Sequence, residues 1–243
     1  MLALYKKEIR SFLSSLIGYI VIAIFLLIIG LFMWIFPGEN NVLEMGYADL
    51  NTLFFIAPWV FMFLIPAVTM RMFAEEKRNG TLEIIFTKPI SDLNIVSAKY
   101  FAGLTLVVLT LLPTLVFYFT IHDLGSPVGN IDTGGTIGSY IGLLLLAASY
   151  VAIGLFASSI SNNQIVSFLL AAIISFFMYA GFASIGEYNL LGSADHIVKQ
   201  FGIAEHYDSI SRGVLDTRDV VYFVALIVVF ILFTKTVLGS RKW

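Results

Sequence analysis

The side chains able to do chemistry are few in this sequence, and most of them crowd into one stretch, RMFAEEKRNGTLEIIFTKP, from Arg71 to Pro89. It holds Arg71, Glu75, Glu76, Lys77, Arg78, Glu83 and Lys88 between apolar runs long enough to cross a bilayer, so it must lie outside the hydrocarbon. No nucleophile–base pair or paired-carboxylate arrangement stands out in the chain, so the chemistry on offer here is ion pairing with a partner. The spacing predicts a polar helix from Arg71 to Asn79, stopped by Gly80, since glycine takes the left-handed cap conformation without steric cost. Thr81 is expected to cap a second helix, with Glu83 in its first turn at the positive end of the dipole and Ile84, Ile85 and Phe86 as an apolar face. Pro89 closes the unit, and Ser91 or Asp92 starts the next helix. A bent, amphipathic, two-helix elbow between two spans is a handle that something in the cytosol could push.

The remaining candidates point to no reaction. His122, His196 and His206 fall between apolar runs and read as solvated loop residues. Asp195, His196 and Glu205 could in principle gather a metal, but their spacing is not that of a metal site. There are no cysteines, which excludes disulfides, thiolate metal sites and cysteine nucleophiles. No GxxxxGK[ST] phosphate loop occurs, and the glycines between Gly125 and Gly138 lack the lysine, so the chain is not its own ATPase. No catalytic residue, metal ligand or bound cofactor is expected.

The elements that would position the elbow are membrane spans. Of 243 residues, 59% are hydrophobic and 12% charged, a composition that belongs to polytopic membrane proteins. Six apolar segments stand out, at about 16–36, 52–70, 99–121, 137–157, 164–186 and 219–238. Residues 1 to 15 alternate Leu2, Leu4, Ile9, Phe12 and Leu13 with basic residues, the pattern of a helix lying on the membrane surface. With the N-terminus in the cytoplasm, 11 of the 14 basic residues fall inside and only Lys199, Arg212 and Arg218 outside, so the positive-inside rule predicts both termini to be cytoplasmic. The outer segment 187–218 mixes Ile197, Val198, Phe201, Ile203, Tyr207, Ile210, Val214 and Leu215 with charges, which predicts short amphipathic helices on the outer ends of the spans, and Asp216 or Thr217 caps the last span. The expected fold is all-α: six transmembrane helices in a single domain over 1–243, with an N-terminal surface helix, a coupling elbow at 71–92 after span two and short external helices before span six.

Within the spans the readings are about shape. No ionisable residue lies deep inside any of them, which argues against a proton-coupled carrier or a voltage sensor. Pro58, Pro66 and Pro113 predict bends in spans two and three. Gly138 and Gly142, with Ala148 and Ala152 further along, let helix backbones approach within the chain. The loop Ser158 to Asn163 reads as a tight polar turn.

The elbow, from Glu75-Glu76 through Gly80-Thr81-Leu82-Glu83 to Lys88-Pro89-Ile90-Ser91, resembles that of ABC-2 type transporter permeases. A second likeness lies in the outer segment, Phe201-Gly202-Ile203-Ala204-Glu205-His206-Tyr207 and Ser211-Arg212-Gly213-Val214-Leu215-Asp216, and the opening Tyr5-Lys6-Lys7-Glu8 and the basic end Arg241-Lys242-Trp243 extend it over the chain. Within that family Ala57-Pro58-Trp59, the run from Ile65 to Arg71 and Pro127-Val128-Gly129-Asn130 are similar to the gliding-motility-associated permease of Bacteroidetes-type bacteria. The resemblance implies a half-transporter of the bacterial inner membrane, coupled to a separate cytosolic ATPase that uses ATP and Mg, and paired with a second permease chain, identical or related. It also implies a periplasmic auxiliary subunit. On the same ground Glu75, Glu76, Arg78, Gly80, Thr81 and Glu83 are the coupling candidates, and Phe201, Tyr207, Arg212, Gly213 and Asp216 mark the external segment. Export of a lipid, glycan or small hydrophobic compound is the alternative function, and force transmission without any transported substrate is a third.

Overall fold

A computed structural model describes residues 1–187 and 195–240, and the described residues form helices and no strands. The basic end Arg241-Lys242-Trp243 and part of the outer segment fall outside them. In chain order the helices are α1 (Leu2–Leu13), α2 (Leu16–Trp34), α3 (Val42–Met45), α4 (Asn51–Thr69), α5 (Arg71–Arg78), α6 (Thr81–Phe86), α7 (Asp92–Leu111), α8 (Leu115–Leu124), α9 (Thr133–Ile160), α10 (Gln164–Phe176), α11 (Phe182–Glu187), α12 (Asp195–Lys199), α13 (Ile203–Ser211) and α14 (Thr217–Gly239).

Six of these runs are long and apolar enough to cross a bilayer: Leu16–Trp34, Asn51–Arg78, Asp92–Leu124, Thr133–Ile160, Gln164–Gly186 and Thr217–Gly239. They fall where the apolar segments of the sequence put them, and the chain is a multi-pass membrane protein. Three of the runs are not uniform. Proline withdraws a backbone donor, and at Pro113 the third span passes through a 3-10 turn, Leu112–Thr114, where the Thr114 hydroxyl donates to the Leu111 carbonyl at 2.6 Å. Span two stays helical through Pro58 and Pro66, and its interruption comes at Met70. The fifth span carries a π-helical turn, Phe177–Gly181, which hydrophobic periodicity does not reveal.

The centre of the bundle is α9. Of its most apolar window 78% is buried inside the fold, against 17% for the fifth and the sixth span. Small residues make that possible, because apolar side chains gain little by leaving lipid and close backbone approach has to supply the packing. A Cβ on Gly138 would stand 2.6 Å from the Gly213 carbonyl oxygen, one on Gly142 would overlap Ile210, and one on Gly103 of α7 would stand 2.8 Å from a Val151 methyl. The glycine pair of span four therefore receives the α13 hairpin of the same chain.

Candidate coupling site

The elbow begins where span two breaks. The first amides of a helix have no partner within it, and the buried Ser158, near the end of α9, supplies one. Its Oγ accepts from the amides of Phe73 and Ala74 at 3.0 and 3.1 Å and donates to the Met70 carbonyl at 2.8 Å. Lys77 donates to the carbonyl of the neighbouring Ser159. Ser158 and Ser159 are thus helix residues stapled to the elbow; the sequence reading of a turn starting at Ser158 is corrected, since α9 runs on to Ile160.

The turn chemistry follows the sequence with one exception. Gly80 is left-handed, φ +69°, and separates α5 from α6. Ser91 caps α7, its hydroxyl accepting from the Asn94 amide at 3.3 Å. Thr81, expected as a cap, is instead the first residue of α6 and donates backwards to the Glu76 carbonyl at 3.3 Å, because Gly80 already occupies the cap position. Leu82 is buried, and Ile85 and Phe86 pack partly against the core.

The six coupling candidates divide into two groups. Glu75, Arg78, Gly80, Thr81 and Glu83 are exposed, beside an Ile84 that is 61% exposed. Glu76 points the other way and is buried. Its Oε1 accepts from Lys7 Nζ at 2.6 Å, and its Oε2 lies 2.9 Å from Lys99 Nζ as an ion contact outside hydrogen-bond alignment. Lys99, on α7 and wholly buried, donates to Glu8 Oε1 at 2.9 Å and to the Met72 carbonyl at 2.6 Å, with its ammonium 5.0 Å from the centre of the Phe73 ring. Lys7 closes the set 3.3 Å from Glu8. Two lysines and two glutamates give a neutral quartet joining α1, α5 and α7. An ionised group out of water is tolerated only when paired in this way.

This quartet is what sequence reasoning missed. Lys99 was the edge of an apolar run, and Lys7 and Glu8 were the polar side of a surface helix. The signal was present: a lone lysine entering an apolar helix needs a carboxylate, and Glu8 is the only acid in a basic N-terminal helix. Lys99, the first residue of the expected third span, is thus a charge held inside the fold by its contacts with Glu8 and Glu76. Burial lowers the pKa of Lys7, but its hydrogen bond to Glu76 and the charges of Glu8 and Glu76 outweigh that, and the net shift is upward. Arg71 fastens the turn between α1 and α2, donating to Ser15 Oγ at 2.9 Å with its guanidinium 4.6 Å above the Phe12 ring.

At the opposite end, α13 and the start of α14 are joined by a second buried cluster. His206 Nδ1 lies 2.7 Å from Asp219 Oδ1 and Nε2 lies 2.9 Å from the Gln200 carbonyl, while Ser209 donates to Asp219 Oδ2 at 2.6 Å. The reading of His206 as a solvated loop residue is therefore corrected. It is buried, and its ring stacks on Tyr222 at 3.9 Å. Of the external residues, Tyr207 is buried and donates to the Phe54 carbonyl at 2.8 Å, and burial, with Tyr179 nearby, holds its hydroxyl well above the usual range, so it remains a donor. Gly213 has φ +86° and lies against Gly135 and Gly138. Asp216 caps α14 through the Arg218 amide at 2.9 Å, whereas Phe201 and the Arg212–Asp208 pair are exposed. The described residues hold no group of three or more metal-ligating side chains.

The described residues thus form a bundle of six candidate membrane spans with a two-helix elbow pinned at one end by buried polar contacts. The family model described as ABC-2 family transporter protein matches residues 38–202, which is 165 of the 243 residues and includes the whole elbow. The chain belongs to that family, and membership makes it the membrane subunit of an ABC transporter and implies pairing with a cytosolic ATPase. No curated protein matches the sequence. Lys7, Glu8 and the α13–α14 cluster lie outside the matched residues, while Glu76 and Lys99 lie within them.

Proposed function

We propose that this chain is the permease half of an ATP-driven transporter in a bacterial inner membrane, with both termini in the cytoplasm, and that a separate ATPase docks on the exposed side of the elbow through Glu75, Arg78, Gly80, Thr81, Glu83 and Ile84. The observation that carries this is the division of the elbow. Its outer side is free and charged, while its inner side is fastened to α1 and α7 by the quartet and to α9 by Ser158. A push on the outer side therefore moves three spans and the surface helix together. ATP and Mg act in the partner, and two permease chains, identical or related, enclose the path.

Gliding motility or secretion is the service we assign to it, on the likeness of Ala57-Pro58-Trp59 and the run ending at Arg71 to the motility-associated permeases. A specific observation favours the alternative, export of a lipid or small hydrophobic compound. Phe55, Trp59 and Phe63 form a stripe at four-residue spacing on the only open side of α4, 66%, 40% and 56% exposed.

Co-purification of the tagged chain with the ATPase encoded beside it tests the docking surface. Wild type should retain the ATPase, and the Glu75→Lys, Glu83→Lys double variant should lose it while keeping its melting behaviour. Retention of the ATPase by the double variant would sink this assignment of the surface.

A further inference from the structure

A cleft of about 420 Å³ opens at the end of the bundle opposite the elbow, between the first turn of α4, the π-helical turn of span five and α13. One side of it is aromatic: Phe54, Phe55, Tyr179 and Tyr207. The Tyr207 hydroxyl is already engaged with the Phe54 carbonyl, and the Tyr179 ring is braced edge-on by Trp59 at 5.3 Å, so both offer ring surface. The other side is α13, which turns Glu205, Asp208 and Arg212 towards the cleft. Asp208 is paired with Arg212 at 2.8 Å, whereas Glu205 is exposed and has no hydrogen-bond or ion-pair partner among the described residues. Two carboxylates against one guanidinium leave the lining at −1.

Aromatic faces beside an unpaired carboxylate attract a cation whose charge is spread over alkyl groups, because the ring quadrupole and the carboxylate act on it together while the alkyl shell costs little to dehydrate. An anion would meet Glu205, and a neutral apolar molecule would leave that carboxylate desolvated and unpaired. The volume is that of a small-molecule site. Phe55 belongs both to the cleft and to the stripe continued by Trp59 and Phe63, so an apolar tail has a surface to lie along. We propose that this cleft binds an amphiphilic organic cation, its alkylated ammonium head between Tyr179 and Glu205 and its apolar part along the α4 stripe.

Binding can be measured on the full chain in a neutral maltoside detergent without any ATPase, so the result does not depend on the docking surface assigned above. The probes are choline, its uncharged carbon isostere 3,3-dimethylbutan-1-ol, and butyltrimethylammonium, titrated by calorimetry and by Trp59 fluorescence. Both cations should bind saturably, the neutral isostere about tenfold more weakly or not at all, and Glu205→Gln and Tyr179→Leu should each weaken the cations about tenfold while Tyr179→Phe, which keeps the ring, leaves them near wild type. Glu205 is exposed, so its variant folds whether or not Tyr179→Leu does. The proposal is overturned if neither cation binds saturably, if the neutral isostere binds as tightly as choline, or if Glu205→Gln leaves cation binding unchanged.

Discussion

The two ends of this bundle are each closed by a buried polar cluster, and the clusters are built from opposite kinds of contact. At the elbow end, the lysines and glutamates come from helices 69 and 91 residues apart in the chain. At the other end, His206, Ser209 and Asp219 lie within one hairpin, 10 and 13 residues apart, and that hairpin is seated on α9 by glycine-to-backbone contact. The first kind of joint ties helices that are distant in the chain to one another. The second is local in sequence, and the segment it shapes is fastened to α4 by Tyr207 and to α9 by the glycine contacts. On the proposed coupling, the long-range joint is the one on which the ATPase would push.

If that contrast holds, the largest effect belongs to Lys99. Lys99→Met should cost about 3–5 kcal/mol, because Glu8 and Glu76 are left buried with only the half-exposed Lys7 between them, and thermal unfolding in detergent should show the loss. Adding Glu8→Gln to Lys99→Met should recover part of it, since the surplus buried negative charge is then gone. A double variant as unstable as the sum of the two single changes would mean that the four groups do not act as a unit. Next comes Gly138→Ala, whose methyl meets the Gly213 backbone, which cannot rotate away; overpacking of this kind costs about 1–3 kcal/mol. Its mark should be local, with faster proteolysis around α13 and an unchanged elbow, and an elbow loosened equally would erase the distinction between the ends. Asp219→Asn leaves His206 and Ser209 without their carboxylate and should cost about 1–3 kcal/mol, confined to the same hairpin.

The smallest effect is in pH. The pKa of Lys7 is raised in the folded chain, so its contribution is fully present below the unfolded value of 10.5 and is lost as pH rises through the higher folded value. Lys7→Met should flatten the alkaline limb of the stability profile above pH 10.5 and leave the profile below it parallel to wild type. Because the side chain is 55% exposed, solvent screens much of the interaction.

Much of this architecture is legible in residue order. Six spans, the left-handed Gly80, the Ser91 and Asp216 caps and the intramolecular use of Gly138 and Gly142 all follow from local rules about apolar length, chirality and small-residue packing. The exposed half of the candidate site is legible for the same reason, because a solvated charge needs no partner to be placed. The buried half is not. Glu76 and its exposed neighbour Glu75 have the same chemistry in sequence, and only the register of α5 against α1 and α7 decides which one turns inwards. His206 was hidden in the same way, since nothing near it in sequence says that Gln200 and Asp219 will bracket its ring. Ser158 looked like loop because small polar residues usually are, and its value as a partner exists only beside the unsatisfied amides of α5.

That last contact also sets a timetable for biogenesis. The Phe73 and Ala74 amides and the Met70 carbonyl find their partner on the fourth span, which leaves the ribosome more than 80 residues after them. During the interval the elbow has its ion quartet, all of whose members precede residue 100, but not its staple. Nascent chains ending just before α9 should therefore be cut by protease at the elbow, and chains long enough to insert all of α9 should resist, so the elbow becomes firm only as the central helix enters the membrane.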